Sequence, residues 1–241
     1  MGISIRRREY EHHTENVHIG GAGRSVRDVM LGLNDGLVAS FAVTSGVASA
    51  FGVSGVVVMA GLAEMLGGAV SMGLAAFISA RSQIEFYQSE IERERYEIQR
   101  WPEREREEVR AIYRQKGFSG RLLDQIVEHI SADPERWAGV MMREELGFAS
   151  ESFDVPWRSG LIVGLSYLVG AAVPVSAYVV MRPPEATLLS ALATVVVLFG
   201  VGAAKTVLTA RSWWRSGFES MFIGVAAAAV TYLAGRFFRA G

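Results

Sequence analysis

The sequence predicts an all-α, polytopic membrane protein with five transmembrane helices and an inserted cytosolic helical bundle. Half of the 241 residues are hydrophobic, and the mean hydropathy is +0.24. Five apolar segments reach the roughly 20 residues that a helix needs to cross a bilayer. Charge is concentrated in residues 81–158, which hold 17 of the 25 acidic and 13 of the 24 basic side chains. A polar module is therefore inserted into a membrane domain.

The apolar segments divide the chain into four parts. The first segment is not a cleaved signal peptide, because a long polar stretch precedes it and no small-residue cleavage site follows it. The predicted parts are an N-terminal arm at 1–28, two transmembrane helices within 29–80 (29–52 and 55–80), a charged helical domain at 81–158, and three transmembrane helices within 159–241 (159–181, 186–210 and 217–238).

Arginines set the predicted orientation. Arg24 and Arg27 precede the first span, Arg81 follows the second, and Arg215 lies between the fourth and fifth. Positive charge favours the cytosolic side of a membrane. We therefore expect the N-terminal arm and the charged domain in the cytosol and the C-terminus outside, although Arg182 falls on the outer side and conflicts with this assignment.

The charged domain reads as consecutive helices. Residues 82–100 contain no helix breaker, so the second span is predicted to continue into the cytosol as one long helix. Trp101 ends that helix, and Pro102 suits the first turn of the next, which runs to about residue 117. Ser119 is placed to cap a third helix to residue 130, and Asp133 a fourth that stops near residue 147.

Only two charged side chains, Asp35 and Glu64, lie between residues 29 and 80. A carboxylate in hydrocarbon is costly, so such residues usually face a pore or a partner and mark an ion or proton path. Met65 follows Glu64 directly and Met72 lies two turns on, so carboxylates and a thioether could take a partly dehydrated divalent ion. The alternative is a structural polar pair that only holds the helices together.

Small residues surround both membrane acids. Such residues let helix backbones approach closely, so we predict tight packing of the first two spans. The alternative is that glycine is simply common in transmembrane helices. The residues are Gly32 and Gly36 beside Asp35, and Gly61, Gly67 and Gly68 around Glu64.

Carboxylates in the charged domain recur at helical spacing. Glu94 and Glu97 are three residues apart on one predicted helix, and Glu105 and Glu108 are three apart on the next. Residues at this spacing share a helix face, so two antiparallel helices would bring four carboxylates together. Such a hard oxygen environment suits Fe²⁺, Mn²⁺ and similar cations. The alternative is a pair of solvated helix faces with salt bridges.

The fourth predicted helix adds softer ligands. Met141 and Met142 stand four and three residues before Glu145, which favours a transition metal over Mg²⁺ or Ca²⁺. Methionines also commonly fill cores, and this alternative stays open. His129 has no acid three residues before it, which argues against a di-iron oxidase. Three histidines of the N-terminal arm could bind metal weakly or belong to a mobile tail: His12, His13 and His18.

Two membrane motifs and the insert resemble the vacuolar iron transporter (VIT1/CCC1) family, in a bacterial-type member. The motifs are DVMLGLNDGLV at 28–38 and GLAEMLGGAVSMG at 61–73, followed by the Glu-rich insert and a Met-Met-x-x-Glu step. The resemblance covers roughly residues 24–240. Some relatives carry another methionine one turn after the membrane glutamate, where this chain has Gly68.

The resemblance implies a homodimer with five spans per subunit that exchanges cytosolic Fe²⁺, and often Mn²⁺, for protons. It implies no enzymatic activity and no prosthetic group. The family's ion path lies between the subunits, and its lining residues fall here on Asp35, Glu64 and Met72. Its cytosolic metal-binding residues fall on Glu94, Glu97, Glu105, Glu108, Met141, Met142 and Glu145.

Together these observations predict an integral membrane transporter, in a bacterial plasma membrane, that moves divalent transition metal out of the cytosol. Metal would collect on the cytosolic Glu/Met cluster and pass to Asp35 and then to Glu64 and Met72, while protons move inward. The expected partners are divalent metal ions, protons, the lipid bilayer and a second copy, and a net charge of -1 gives no basis for a nucleic-acid partner. Two alternatives stay open, a membrane-anchored metal-binding sensor or storage module and a passive divalent-cation channel.

Overall fold

A computed structural model describes residues 20–147, 153–206 and 212–240, and every regular element within them is a helix. The predicted all-α class is therefore confirmed for the described residues. The helices are α1 (Gly20–Phe51), α2 (Ser54–Arg100), α3 (Pro102–Gln115), α4 (Gly120–Ser131), α5 (Pro134–Glu144), α6 (Pro156–Val180), α7 (Glu185–Ala204) and α8 (Trp213–Ala240).

Four of the described helices, α1, α2, α6 and α7, are long and apolar enough to cross a membrane. They coincide with the first four predicted spans, although α1 begins well before residue 29 and α7 ends at Ala204, before the predicted limit of 210. Helix α8 overlaps the predicted fifth span. A total of five membrane crossings stays a prediction.

Helix α2 is a single helix of 47 residues. This confirms that the second apolar segment continues without a break to Arg100, so the predicted domain boundary at residue 81 falls inside a helix. Pro102 begins α3, as expected. Asp133 accepts hydrogen bonds from the backbone N–H groups of Glu135 at 2.9 Å and Arg136 at 3.2 Å and so caps α5. Ser119 occupies the N-cap position of α4, but its side chain makes no capping hydrogen bond.

Helix α6 packs against both α1 and α2, and α1 also contacts α7 and α8. A Cβ on Gly32 would lie 2.3 Å from the carbonyl oxygen of Val163, and one on Gly36 would lie 2.3 Å from that of Tyr167. These two glycines therefore pack α1 against α6. The predicted close packing of the first two spans occurs instead at Gly61 of α2, where an added Cβ would lie 2.9 Å from Thr44 Cγ2 of α1. Glycine spacing identifies a face for close approach but not the helix that meets it.

Helices α3, α4 and α5 pack on the far end of α2 and bury a core of their own. Asp133 and Pro134 start α5 so that its apolar face turns onto that core, and α5 ends at Glu144, before the predicted limit near residue 147. The core residues are Ile98, Val109, Leu123, Val127, Ile130, Trp137, Ala138 and Met141. This unit, called the α3–α5 bundle below, occupies the place of the predicted insert.

Candidate functional site

Glu64 lies half-buried in the apolar part of α2. The hydroxyl of Tyr167, from α6, donates a hydrogen bond to Glu64 Oε1. The other carboxylate oxygen, Oε2, is buried and has no hydrogen-bond partner among the described residues. A buried polar oxygen without a partner is costly. That cost is offset when the oxygen binds a cation or a proton.

Tyr167 lies near the three side chains that the sequence predicted to line the ion path. The residue is 2% exposed and belongs to an apolar cluster against which Met65 and Met72 pack. Its backbone meets Gly36, the neighbour of Asp35, and its hydroxyl lies within electrostatic range of the Asp35 carboxylate. The two membrane acids and Met72 thus lie around one residue of α6.

Reasoning from the sequence missed Tyr167. The available signal was a tyrosine placed well inside the third apolar segment, whereas membrane tyrosines concentrate at the two interfaces. A buried tyrosine hydroxyl usually has a hydrogen-bond partner. Glu64 was one of only two intramembrane acids on the first two spans, but no spacing rule links the two positions across separate helices.

An ion-pair network joins the start of α1 to the segment before α6. Asp28 is 4% exposed, and Ser159 Oγ donates to its Oδ2 at 2.6 Å. Arg27 bridges Asp28 Oδ1 at 3.1 Å and Asp154 Oδ2 at 2.7 Å. Arg24 binds Asp154 at 2.8 Å. The network was not predicted, because Asp154 lies far from α1 in the chain.

A cleft of about 290 Å³ is lined by members of this network and by Met72 of α2. Because Met72 also packs against the cluster that contains Tyr167, the cleft extends from this network toward the surroundings of Tyr167. Its polar lining residues are Arg27, Asp28, Ser79, Gln83, Asp154 and Ser159.

Five glutamates of α2, α3 and the end of α5 form what we call the acidic cluster. Glu94 and Glu105 are only 2% and 1% exposed. Each keeps one carboxylate oxygen, Glu94 Oε1 and Glu105 Oε2, buried without a hydrogen-bond partner among the described residues. Glu94 and Glu105 therefore do not belong to a solvated helix face. The cluster comprises Glu94, Glu97, Glu105, Glu108 and Glu145.

The pKa shifts of three members indicate that the glutamates of the acidic cluster lie close to one another. Burial, followed by repulsion from the other four members, raises the pKa of Glu94 to about 7. Burial and then Glu108 and Glu97 raise the pKa of Glu105. Partial loss of water and the same two neighbours raise the pKa of Glu145. Within the described ranges, however, no three acidic or histidine side chains are arranged to hold a metal ion, so ligation stays a prediction.

The rim of the cluster fits the alternative of solvated faces. Glu97 pairs with Arg93 at 3.7 Å, and Glu108 pairs with Arg104 at 3.1 Å, each along one helix. Exposed pairs of this kind contribute little to stability. A cation could therefore displace the arginines from these two carboxylates at small cost.

Met141 and Met142 are both fully buried. Met141 belongs to the core of the α3–α5 bundle, which fits the alternative of core filling. The histidines of the N-terminal arm, His12, His13 and His18, lie outside the described residues.

The family model and the individual relatives that match this chain indicate the same family. The model of the VIT family matches residues 26–236. The chain is 35% identical over 223 residues to Vacuolar iron transporter 1 of Arabidopsis thaliana, covering 92% of this chain and 88% of the relative. It is 34% identical over 224 residues to Vacuolar iron transporter 1 of Oryza sativa subsp. japonica, with coverage of 92% and 88%. Protein CCC1 of Saccharomyces cerevisiae is 30% identical over 193 residues, 78% of this chain and 59% of that protein.

Proposed function

The chain belongs to the VIT family, and from that premise we propose that it moves Fe²⁺, and also Mn²⁺, out of the cytosol in exchange for protons. It is an integral membrane protein and a transporter of metal, not an enzyme. Metal is its cargo, and the chemistry requires no prosthetic group.

The buried oxygen of Glu64 carries this proposal. Tyr167 occupies Oε1, and Oε2 is left without a partner among the described residues. A carboxylate in an apolar setting binds either a cation or a proton, because leaving the charge uncompensated is costly. Occupation by one therefore opposes occupation by the other. This competition is the physical basis of exchange.

The positions of the helices suggest an order of contact along the path. Met72 is two turns nearer than Glu64 to the end of α2 that carries the bundle, and it lines the cleft. Gly73 meets Gly160, whereas Gly36 meets Tyr167 two turns deeper along α6. We therefore place Met72 first and then Asp35 and Glu64, which revises the order expected from the sequence.

The acidic cluster is proposed to collect metal on the cytosolic side. Its concentrated negative charge raises the local concentration of divalent cations. Glu94 and Glu105 each offer a carboxylate oxygen without a partner in the described chain. The buried Met142 and the nearby Glu145 would extend the set. Direct ligation would involve Glu94, Glu97, Glu105, Glu108, Met141, Met142 and Glu145.

Location and orientation follow from charge. Arg24 and Arg27 precede the apolar part of α1, and Arg81 follows that of α2 at the same end. Positive charge at this end favours a cytosolic location for the N-terminus and for the α3–α5 bundle. We propose the plasma membrane of a bacterium as the site of action.

A second copy of the chain is proposed to complete the path. The apolar half of α2 is largely uncovered within one chain, and it presents a row of exposed apolar side chains. The chain contains no cysteine, so Leu66→Cys would report pairing without background. Cross-linking at Leu66 but not at Leu192, an exposed position on α7, is expected; no cross-link at Leu66 would contradict this arrangement. The row comprises Met59, Leu62, Leu66, Val70, Leu74 and Ile78.

The decisive experiment uses proteoliposomes that contain one dye for metal and one for pH. Wild-type protein should move Fe²⁺ or Mn²⁺ with opposite proton movement, and an imposed pH gradient should accelerate the metal. Glu64→Gln should abolish both fluxes, whereas Glu185→Gln, at an exposed position at the start of α7, should not. Metal flux that ignores the pH gradient would indicate a channel, and binding without flux would indicate a sensor or storage module. Wild-type flux in Glu64→Gln would refute the mechanism.

A further inference from the structure

Two glycines hold Tyr167 in place from two helices. A Cβ on Gly68 of α2 would lie 2.2 Å from the Tyr167 hydroxyl oxygen and 2.4 Å from its Cζ. A Cβ on Gly36 of α1 would lie 2.3 Å from the Tyr167 carbonyl oxygen. The phenol therefore occupies the volume that a side chain at residue 68 would fill. Its position depends on both residues remaining glycine.

The hydrogen bond from Tyr167 fixes how Glu64 presents its carboxylate. Oε1 accepts the phenol hydrogen, so the carboxylate cannot rotate without losing that bond, and Oε2 is the oxygen left for an ion. A phenol oxygen that donates one hydrogen bond still has lone pairs that can accept. An ion at Glu64 would thus meet two oxygens held in fixed relation.

Two thioether side chains lie near this phenol. Met65 and Met72 pack against the cluster that contains the Tyr167 ring. Oxygen ligands suit Mn²⁺, whereas thioether ligands favour softer ions and tolerate Zn²⁺ well. The balance between the phenol oxygen and the two sulfur atoms therefore affects which metal is bound best.

We propose that Gly68 and Tyr167 act as a matched pair that sets metal preference at Glu64, holding an oxygen-rich site that favours Mn²⁺ over Zn²⁺. This proposal rests on the proposed function of metal transport. Tyr167 acts by direct contact with Glu64, and Gly68 acts as a positioning residue through the space it leaves for the phenol.

The test compares the initial rates of Mn²⁺ and Zn²⁺ transport in proteoliposomes. Tyr167→Phe keeps the ring and removes only the hydroxyl. Losing a hydrogen bond to a charged group should lower the Mn²⁺-to-Zn²⁺ rate ratio about tenfold. The matched control is Tyr178→Phe, because Tyr178 is also 2% exposed on α6 but bonds Thr187 at 3.2 Å. The ratio should not change in that control.

Gly68→Ala is a second variant that leaves the phenol hydroxyl in place. Its added methyl group should displace the phenol and lower the same Mn²⁺-to-Zn²⁺ rate ratio. In the double variant with Tyr167→Phe the two effects should not add, since both act through one contact. An unchanged ratio in Tyr167→Phe, an equal loss of both metals, or an equal shift in Tyr178→Phe would overturn the proposal. If Gly68→Ala does not fold, Tyr167→Phe with its control decides alone. A wild type that moves neither metal would instead overturn the proposed function itself.

Discussion

Replacing Glu94 by glutamine should stabilise the α3–α5 bundle at alkaline pH while weakening its binding of metal. Glutamine keeps the shape of the side chain and removes its charge. Burial, followed by Glu105, Glu145, Glu97 and Glu108, raises the pKa of Glu94 from 4.5 to about 7. The folded protein therefore holds a proton on Glu94 at pH values where the unfolded chain has lost it.

The sign of the pH dependence follows from this difference. A group whose pKa is raised by folding contributes its full stability below the unfolded pKa, and that contribution is lost as the pH rises through about 7. The pKa shift corresponds to roughly 3 kcal/mol, and screening by solvent reduces it to about 2 kcal/mol. Glu94→Gln should recover about 2 kcal/mol at pH 8 and almost nothing at pH 4.

Hydrogen exchange measured by mass spectrometry tests this prediction on the full-length protein in detergent with a chelator present. At pH 8, amides of the α3–α5 bundle should exchange roughly 30-fold more slowly in Glu94→Gln than in the wild type. At pH 4 the two proteins should agree after correction for intrinsic rates. Glu128→Gln, at an exposed position on α4, is the control and should match the wild type at both values. An equal gain at both pH values, or no gain at pH 8, would refute the reasoning.

Three further predictions concern packing, the ion-pair network and the acidic cluster. Gly36→Ala should lower the melting temperature in detergent, because its methyl group would meet the Tyr167 carbonyl oxygen. The control Gly200→Ala should not lower it, because a methyl group there would meet nothing within 4 Å. Equal melting temperatures would contradict the close approach of α1 and α6. Asp28→Ala should lower the free energy of unfolding by about 1–3 kcal/mol, because Ser159 stays buried without its acceptor, and denaturant titration that shows no change would contradict this role. Replacing the four glutamates that α2 and α3 contribute to the acidic cluster by glutamine should weaken metal binding in calorimetric titrations yet preserve transport at high metal concentration; unchanged titrations would indicate that these carboxylates bind no metal.

Local signals in the sequence predicted much of the helical framework. The absence of a breaker between residues 82 and 100 predicted the continuous helix α2, and Pro102 and Asp133 marked the starts of α3 and α5. These features depend on backbone chemistry within one or two turns, so neighbouring residues suffice to predict them. The prediction for Ser119 was less successful, because the N-cap position does not oblige the side chain to bond.

Relations between helices were harder to predict. The glycines of α1 were assigned to a contact with α2, but they face α6, because a small-residue face fits any helix with a matching surface. The hydrogen bond between Tyr167 and Glu64 and the network around Asp28 join residues more than one hundred positions apart. The sequence indicated which residue types required partners. Only the three-dimensional arrangement identified those partners.

The unbroken course of α2 fixes a long distance between its two groups of acids. About 30 residues of helix separate Glu64 from Glu94, roughly 45 Å at about 1.5 Å per residue. Under the proposed function, an ion released by the acidic cluster therefore has to cross part of that distance before it enters the cleft, whose lining reaches Gln83 on the same helix. In that proposal the bundle governs how often ions arrive, and the membrane helices govern how fast each one crosses. The two steps should therefore be separable by kinetics, and abundant metal on the cytosolic side should make the first dispensable.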